Sequence, residues 1–136
     1  MTERPLRIID PRRVPVWQDS ERAQRLARLI SDQTCDARTL FAGMYWLAPG
    51  RQTIVDVHPT NEEVYYVVQG KGQLILDGVE APIEQGMAVH IPAGVKHQSI
   101  NTGDVDLCYF YVYAPPPAQR DLASLGWTVR EGEATS

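Results

Sequence analysis

Histidine occurs at three positions in the chain, and two of these lie among polar residues with a regular spacing. Asp56 and His58 are two residues apart, so a strand over 53–58 would direct both side chains to one face. A turn is predicted at 59–61, and Glu63 lies in the run that follows it. The pattern predicts that an imidazole and two carboxylates converge across a hairpin. Such groups transfer protons and bind metal ions.

A second segment with alternating polar residues covers 86–101. Pro92 and Gly94 predict a tight bend at a point where a central strand could not continue. Beyond the bend, His97 and Asn101 fall on one face of the next predicted strand. His97 joins the first group only if both strands line one cavity.

Three neighbouring residues have less specific positions. Tyr65 shares the predicted face of Glu63, where its hydroxyl would act as an acid–base group or a substrate hydrogen-bond donor, or would simply pack in the interior. Glu62 faces the other way and is interpreted as a solvated turn residue. His90 lies inside a predicted strand and is interpreted as a hydrogen-bonded structural residue.

The elements that must position these residues are short β-rich runs, separated by Gly, Pro, Asn and Asp from Thr39 onward. This pattern is typical of an antiparallel sandwich or barrel. The Asp77-Gly78 pair predicts a two-residue hairpin, because its turn requires positive φ. Strands are predicted near 39–48, 53–58, 63–69, 73–77, 79–83, 87–91, 97–102 and 106–113.

The two ends of the chain are less clearly patterned. Periodicity supports helix and strand equally over 20–30. The prolines at 115–117 end the last predicted strand, and the tail beyond them is predicted to form one short helical turn.

The spacing of the polar residues resembles the two sequence motifs of the cupin superfamily. The first motif is Gly, five residues, His, one residue, His, three or four residues, Glu, six residues, Gly, and its positions are held here by Gly50, Asp56, His58, Glu63 and Gly70. The second is Gly, five residues, Pro, one residue, Gly, two residues, His, three residues, Asn, and it is matched in full by Gly86, Pro92, Gly94, His97 and Asn101. The single departure is the aspartate at position 56, where the family usually has histidine.

The resemblance implies an all-β fold, the double-stranded β-helix of the cupin jelly-roll barrel. A single cupin domain over 1–136 is expected, with a barrel core at about 39–114, an N-terminal arm at 1–38 and a C-terminal tail at 115–136. It also favours a strand over 24–30, at the barrel edge. We expect a homodimer in which this run adds to the sheet of a neighbouring copy.

By the same resemblance, His58, Glu63 and His97 occupy positions that ligate a divalent metal. Asp56 either completes the ligand set or is too short to reach the metal, which would leave two histidines and one carboxylate with open positions. Carboxylate ligands favour Fe²⁺, with Mn²⁺, Ni²⁺ and Zn²⁺ as alternatives. The competing interpretation is that both histidines are ordinary surface or core residues without a metal.

The cupin family hosts many reactions, so its fold does not decide the function. The expected function is a metal-dependent enzyme on a small organic substrate, with a non-haem iron dioxygenase-type reaction as the first choice. One alternative is a redox-neutral lyase, isomerase or cyclase in which Tyr65 or Asp56 moves a proton. Another is a non-catalytic small-molecule-binding cupin.

Aromatic and basic residues, most of them outside the motifs, are also candidates for contact with a substrate. Trp46, Tyr65 and part of 109–113 are expected around the pocket, where they would exclude water. Arg28 and Arg38 are interpreted as surface arginines, with the clamping of a substrate carboxylate as the alternative.

Composition narrows the possible partners. The formal net charge is −4, and no basic stripe is present to neutralise phosphates, so a nucleic-acid partner is not expected. No apolar run reaches the length of a signal or membrane-spanning segment, so we expect a cytoplasmic protein without a membrane partner. Cys35 and Cys108 are expected to be reduced thiols.

Overall fold

The structure, a computed structural model, describes residues 7–130 and consists almost entirely of β-strands. Two short 3-10 helices lie at Pro11–Arg13 and Ala123–Leu125. The strands are β1 (Trp17–Asp19), β2 (Gln24–Ile30), β3 (Phe41–Leu47), β4 (Glu62–Gln69), β5 (Lys71–Leu76), β6 (Val79–Glu84), β7 (Ala88–Ile91), β8 (His97–Asn101), β9 (Leu107–Ala114) and β10 (Thr128–Val129). The all-β prediction is therefore confirmed.

The strands form two antiparallel sheets. One contains seven strands in the order β10-β1-β2-β3-β9-β4-β7, and the other contains three in the order β6-β5-β8. The main buried cluster draws residues from both sheets, including Leu47, Val67, Leu74 and Leu107. The core thus lies between the sheets, as in the predicted jelly-roll barrel.

Strand β4 shows how alternation creates an inner and an outer face. Glu63, Tyr65 and Val67 are 2%, 5% and 0% exposed, respectively. Val64 and Tyr66, which lie between them, are exposed. Period-two geometry therefore carries the Glu63 carboxylate into the interior, on the face that it shares with Tyr65, as the sequence predicted.

The predicted hairpin at Asp77-Gly78 is confirmed. Both residues have positive φ, 47° for Asp77 and 80° for Gly78. Leu76 pairs with Val79, so β5 and β6 are joined directly by these two residues.

The strand predicted over 53–58 is not a regular strand. Its pairing with β8 is limited to isolated bridges, Gln52 with Ile100 and Asp56 with His97. The register shifts by one residue between these bridges, and the Thr53 side chain, instead of a main-chain carbonyl, accepts the Ser99 N–H at 3.0 Å. The ladder is interrupted for this reason.

The 20–30 segment contains β2 and no α-helix, but β2 is not a sheet edge. It pairs with β1 on one side and β3 on the other. Over Gln24–Leu26 both hydrogen-bonding edges of β2 are occupied within the chain, so the expectation that the whole of 24–30 adds to a neighbour's sheet is wrong there. The expected helical turn in the tail is present at Ala123–Leu125, and it is followed by β10, which the sequence did not predict.

Candidate active site

The backbone brings the two motif segments into direct contact. Asp56 and His97 exchange both main-chain hydrogen bonds, at 2.9 and 2.8 Å. The His58 carbonyl accepts the Gly94 N–H at 2.8 Å, which ties the segment to the bend before β8. Gly94 has φ +83°, a conformation that favours glycine. Asp56, His58 and His97 therefore meet as the sequence required.

Their side chains converge with the carboxylate of Glu63, which projects inward from β4. Glu63 Oε1 lies 3.3 Å from His97 Nε2 and 3.7 Å from His58 Nε2. Asp56 Oδ2 lies 3.8 Å from His58 Nε2. The ligand atoms of Asp56, His58 and His97 all lie within 4.8 Å of one another. The His58 imidazole thus has a carboxylate on each side, Asp56 and Glu63, and Glu63 also contacts His97.

Two atoms at the centre of this group lack hydrogen-bond partners. They are His58 Nε2 and Glu63 Oε1, both buried from solvent. A buried polar atom without a partner is costly, so a further group that contacted both atoms would stabilise this arrangement.

His97 is oriented by its other ring nitrogen. Its Nδ1 lies 3.1 Å from the Val95 carbonyl, which only accepts hydrogen bonds, so Nδ1 carries the proton and donates. Burial lowers the pKa of His97, but the nearby Glu63 carboxylate and the hydrogen bond to the Val95 carbonyl outweigh it and leave the pKa above its ordinary value. The ring therefore presents Nε2 to Glu63.

Asp56 differs from the other three residues in its exposure and partners. Its Oδ1 accepts the Val57 N–H at 2.9 Å, and its Oδ2 lies 3.5 Å from Arg120 Nη2. Its side chain is 30% exposed, compared with 2% for Glu63. Asp56 is thus held at the rim of the site, between His58 and the tail of the chain.

A cavity of about 380 Å³ opens onto these residues. Its volume is within the range of small-molecule sites. Its walls include an inward-facing aromatic set, Phe41, Tyr45, Tyr65, Tyr109, Tyr111 and Tyr113. Because side chains alternate along β9, the odd-numbered residues of 109–113 are the ones that face the cavity.

Trp46, expected beside the pocket, is not among its lining residues. It packs against the separate cluster of Val14, Val16 and Ala27, with Arg25 5.0 Å from the centre of its ring. Its neighbour Tyr45 takes the inward position. The reason is parity, since adjacent strand residues face opposite sides.

Tyr65 lies in the wall of the cavity, stacked on Tyr109 with ring centroids 4.0 Å apart. Burial, the largest cause, raises the pKa of Tyr65 well above its ordinary value, and the neighbouring Tyr109 and Glu63 raise it further. The hydroxyl therefore keeps its proton.

The tail of the chain closes one side of the cavity, which the sequence did not indicate. Arg120, Leu122 and Trp127 line it together with Arg28 of β2. The prolines at 115–117 predict the end of β9. No sequence pattern near them predicts that the chain then returns across the pocket. Pairing of β10 with β1 anchors this return.

The remaining polar residues lie elsewhere. Arg38 pairs with Asp36 at 3.1 Å on the surface, as expected of a surface arginine. His90 and Glu62 are exposed and hydrogen-bonded to each other at 2.8 Å, outside the pocket. Their interpretation as structural and solvated residues is consistent with these positions.

Two further sequence expectations concern the rest of the molecule. Both cysteines, Cys35 and Cys108, are free and buried. Within residues 7–130, no helix has the length and apolarity needed to cross a membrane.

Asn101, the last residue of the second motif, lies deep in the structure and supports the loops. It is 1% exposed. Its Nδ2 donates to the carbonyls of Leu47 and Val105, at 2.8 and 2.9 Å, and its Oδ1 accepts the Gly103 N–H. Asn101 therefore fixes the turn after β8 and does not line the pocket.

The architecture and the site are those of a small cupin-type barrel. Residues 43–113 match the family model described as Cupin domain, and the chain belongs to this family. Protein SchB of Streptomyces halstedii is 32% identical over 122 residues, which are 90% of this chain and 87% of SchB. Polyketide synthase CurC of Streptomyces cyaneus is 28% identical over 109 residues, covering 80% of this chain and 70% of CurC. The RmlC-like cupin from Shewanella frigidimarina NCIMB 400 has the same fold, with a TM-score of 0.71 at 18% identity over 86% of this chain and 97% of that one.

Proposed function

We propose that the protein is a metal-dependent cupin enzyme that acts on a small, flat organic molecule with O₂ as co-substrate. The observation that carries the metal is the pair of buried atoms without partners, His58 Nε2 and Glu63 Oε1. A divalent cation between them would satisfy both, and His97 Nε2 is close enough to Glu63 to share it, at 3.3 Å. The donor set therefore fits a metal ion.

His58, His97 and Glu63 would hold the metal, with Asp56 as a fourth ligand or as a group beside it. Two imidazoles with one or two carboxylates suit Fe²⁺ best, with Mn²⁺, Ni²⁺ and Zn²⁺ as alternatives. When bound, such an ion supplies a Lewis-acid and redox centre with open coordination positions.

The pocket residues support the kind of substrate that we propose. Tyrosine and phenylalanine rings would pack against a flat molecule and keep water from the reacting atoms. Tyr65, which keeps its proton, would donate a hydrogen bond and orient a substrate oxygen. The similarity to CurC, a protein whose name refers to polyketide synthesis, makes a polyketide one candidate substrate.

One observation favours a second candidate, a redox-neutral lyase, isomerase or cyclase. Asp56 reaches the pocket from its rim and is only partly buried, so its carboxylate is available to accept a proton. In that reaction Asp56 would take a proton from the substrate and Tyr65 would provide one. Both candidates use the same metal site.

Oxygen uptake separates the two candidates. The Fe²⁺-loaded protein would be incubated with mono- and bicyclic dihydroxyarenes in an oxygen electrode, with product formation followed in parallel. We expect uptake of O₂ that matches product formation, and neither in the His97→Ala variant. Product formation that continues at full rate without O₂ would assign the redox-neutral reaction. Tyr65→Phe would then show whether the phenol supplies the proton.

We also propose that the protein forms a homodimer, through a different surface from the one first expected. The outer face of β4 exposes Val64, Tyr66 and Val68, at 39%, 48% and 37%. It lies beside β7, which is an edge of the seven-stranded sheet. A second copy placed on this face would cover both the apolar side chains and the edge.

Sedimentation tests the dimer. We expect twice the chain mass of 15.3 kDa at micromolar concentration, and the chain mass for Tyr66→Glu. Val79→Glu, at an exposed position of the hairpin between β5 and β6, is the control and should remain dimeric. A wild-type protein that sediments as a monomer would rule out the proposal.

A further inference from the structure

Arg28 is one of two arginines in the wall of the cavity, the other being Arg120, and it lies on the same wall as the aromatic set. It lies on β2, where it pairs with Gly43 of β3, and Gly43 pairs in turn with Tyr111 of β9. One inward-facing row of the sheet therefore contains, in order, a guanidinium, a residue without a side chain, and a tyrosine.

Gly43 keeps this row open. A Cβ atom there would lie 2.5 Å from the Tyr111 hydroxyl and would collide with the Ala27 carbonyl. Because glycine leaves this space, the Tyr111 hydroxyl lies over Gly43, the residue that pairs with Arg28. Consistent with this proximity, Arg28 is one of the groups that influence the pKa of Tyr111.

The guanidinium of Arg28 has no carboxylate partner within ion-pair distance in the described part of the chain. Its Nη2 donates one hydrogen bond, to the Arg120 carbonyl at 2.8 Å. Among the described residues, the arginines that form ion pairs are Arg12, Arg22, Arg25, Arg38 and Arg120. Burial lowers the pKa of Arg28, against a smaller opposing effect of Tyr111 and Asp121, yet a guanidinium stays charged at any physiological pH.

Arg28 faces a cavity and has no carboxylate partner within residues 7–130, and these two features fit an anion-binding residue better than a structural arginine. A structural guanidinium in a half-buried position is ordinarily neutralised by an acid, and a surface guanidinium has no reason to face a cavity. Arg28 keeps donors for a planar anion while one donor fixes it to the tail. The tail in turn places Arg120 beside Asp56.

We propose that Arg28 binds the carboxylate of an aromatic acid, whose ring lies among the pocket tyrosines. This inference rests on the proposed function for the identity of the pocket as a substrate site, and it adds the substrate class. Arg28 would orient the ring by its acidic end, with the reacting carbon directed to the motif residues. Recognition of a carboxylate by a planar guanidinium is geometrically specific, which makes Arg28 a specificity-determining residue.

A matched pair of probes tests the inference by binding alone. 2-Naphthoate and 2-naphthamide have the same flat ring system, but only the acid is charged. Calorimetric titration of the full chain as purified, and again after treatment with a chelator, would give four dissociation constants. We expect the acid to bind at least about tenfold more tightly than the amide, with and without the chelator, because a charge-assisted hydrogen bond is worth roughly that factor.

Two arginine variants complete the design. Arg28→Gln should bind the acid and the amide equally, and should bind the amide as the wild type does, which shows that its pocket is intact. Arg38→Gln removes an arginine from a surface ion pair and should retain the wild-type preference.

Three results would overturn the inference. They are equal binding of acid and amide by the wild type, loss of the preference on chelation, and a preference that survives in Arg28→Gln. The second would mean that a bound metal holds the acid. Since no turnover is measured, failure of the O₂ reaction would leave a preserved acid preference standing, and the two proposals fail separately.

Discussion

Replacement of His97 by alanine is expected to abolish tight binding of a divalent metal. His97 is 5% exposed, and its ring is held by the Val95 carbonyl so that Nε2 faces Glu63. Since even the loss of a group that only orients a ligand costs about ten- to a hundredfold in affinity, loss of the ligand itself should cost more than about a hundredfold. Metal content after purification without added salts, and competition with a chelator, would measure the change.

His90→Ala is the matched control for this experiment. His90 lies on the outer surface in a hydrogen bond with Glu62, so its removal deletes an imidazole without touching the pocket. This variant should keep the metal content of the parent. The site assignment is wrong if His97→Ala keeps as much tightly bound metal as the parent, or if both variants lose it equally. Circular dichroism of both variants separates loss of a ligand from loss of fold.

Much of this site could be predicted because its residues are fixed by local rules. In β4, alternation places Glu63 and Tyr65 on one face, and the motif spacing that includes Glu63 indicates that this face points to the site. In the second motif, Gly94 supplies the positive φ that turns the chain, and His97 follows on the inner face of β8. The position of each of these side chains and the direction in which it points are set by the few residues around it. A motif defined by residue spacing can therefore predict both.

The side of a strand that faces inward is harder to predict when both sides are apolar. In β3, Tyr45 and Trp46 are both large and aromatic, and their relative burial depends on which cluster each one meets. Tyr45 packs against the core between the sheets, and Trp46 packs against the separate cluster of Val14, Val16 and Ala27. Only the three-dimensional arrangement decides between them.

The tail and β2 could not be placed from the sequence because their contacts are distant along the chain. Arg120 meets Asp56 across 64 positions, and Arg28 meets the Arg120 carbonyl across 92. β2 is not the last strand of its sheet because the three-residue strand β1 pairs with Gln24–Leu26, and β1 is itself bordered by the two residues of β10. Strands this short leave no periodic pattern in a sequence.

The substitution Asp56→His is expected to tighten metal binding, by about ten- to a hundredfold. Asp56 is committed to the Val57 N–H and to Arg120, and its Oδ2 is 3.8 Å from His58 Nε2. Histidine at this position would be released from both interactions, and its longer side chain would bring a third imidazole to the site. Imidazole favours later transition metals, so the gain should be larger for Ni²⁺ than for Mn²⁺. Dissociation constants for both ions, measured by chelator competition, would test this order.

The matched control is Asp104→His, which adds a histidine at an exposed position in the loop before β9. It should leave both dissociation constants unchanged, because a single exposed imidazole has no neighbouring ligands with which to hold an ion. If Asp56→His binds every tested ion no more tightly than the parent, Asp56 does not lie in the position of a family ligand. A gain for Ni²⁺ combined with a loss for Mn²⁺ would instead show that the native carboxylate ligates the metal, since a hard ion loses most when an oxygen ligand is exchanged for nitrogen.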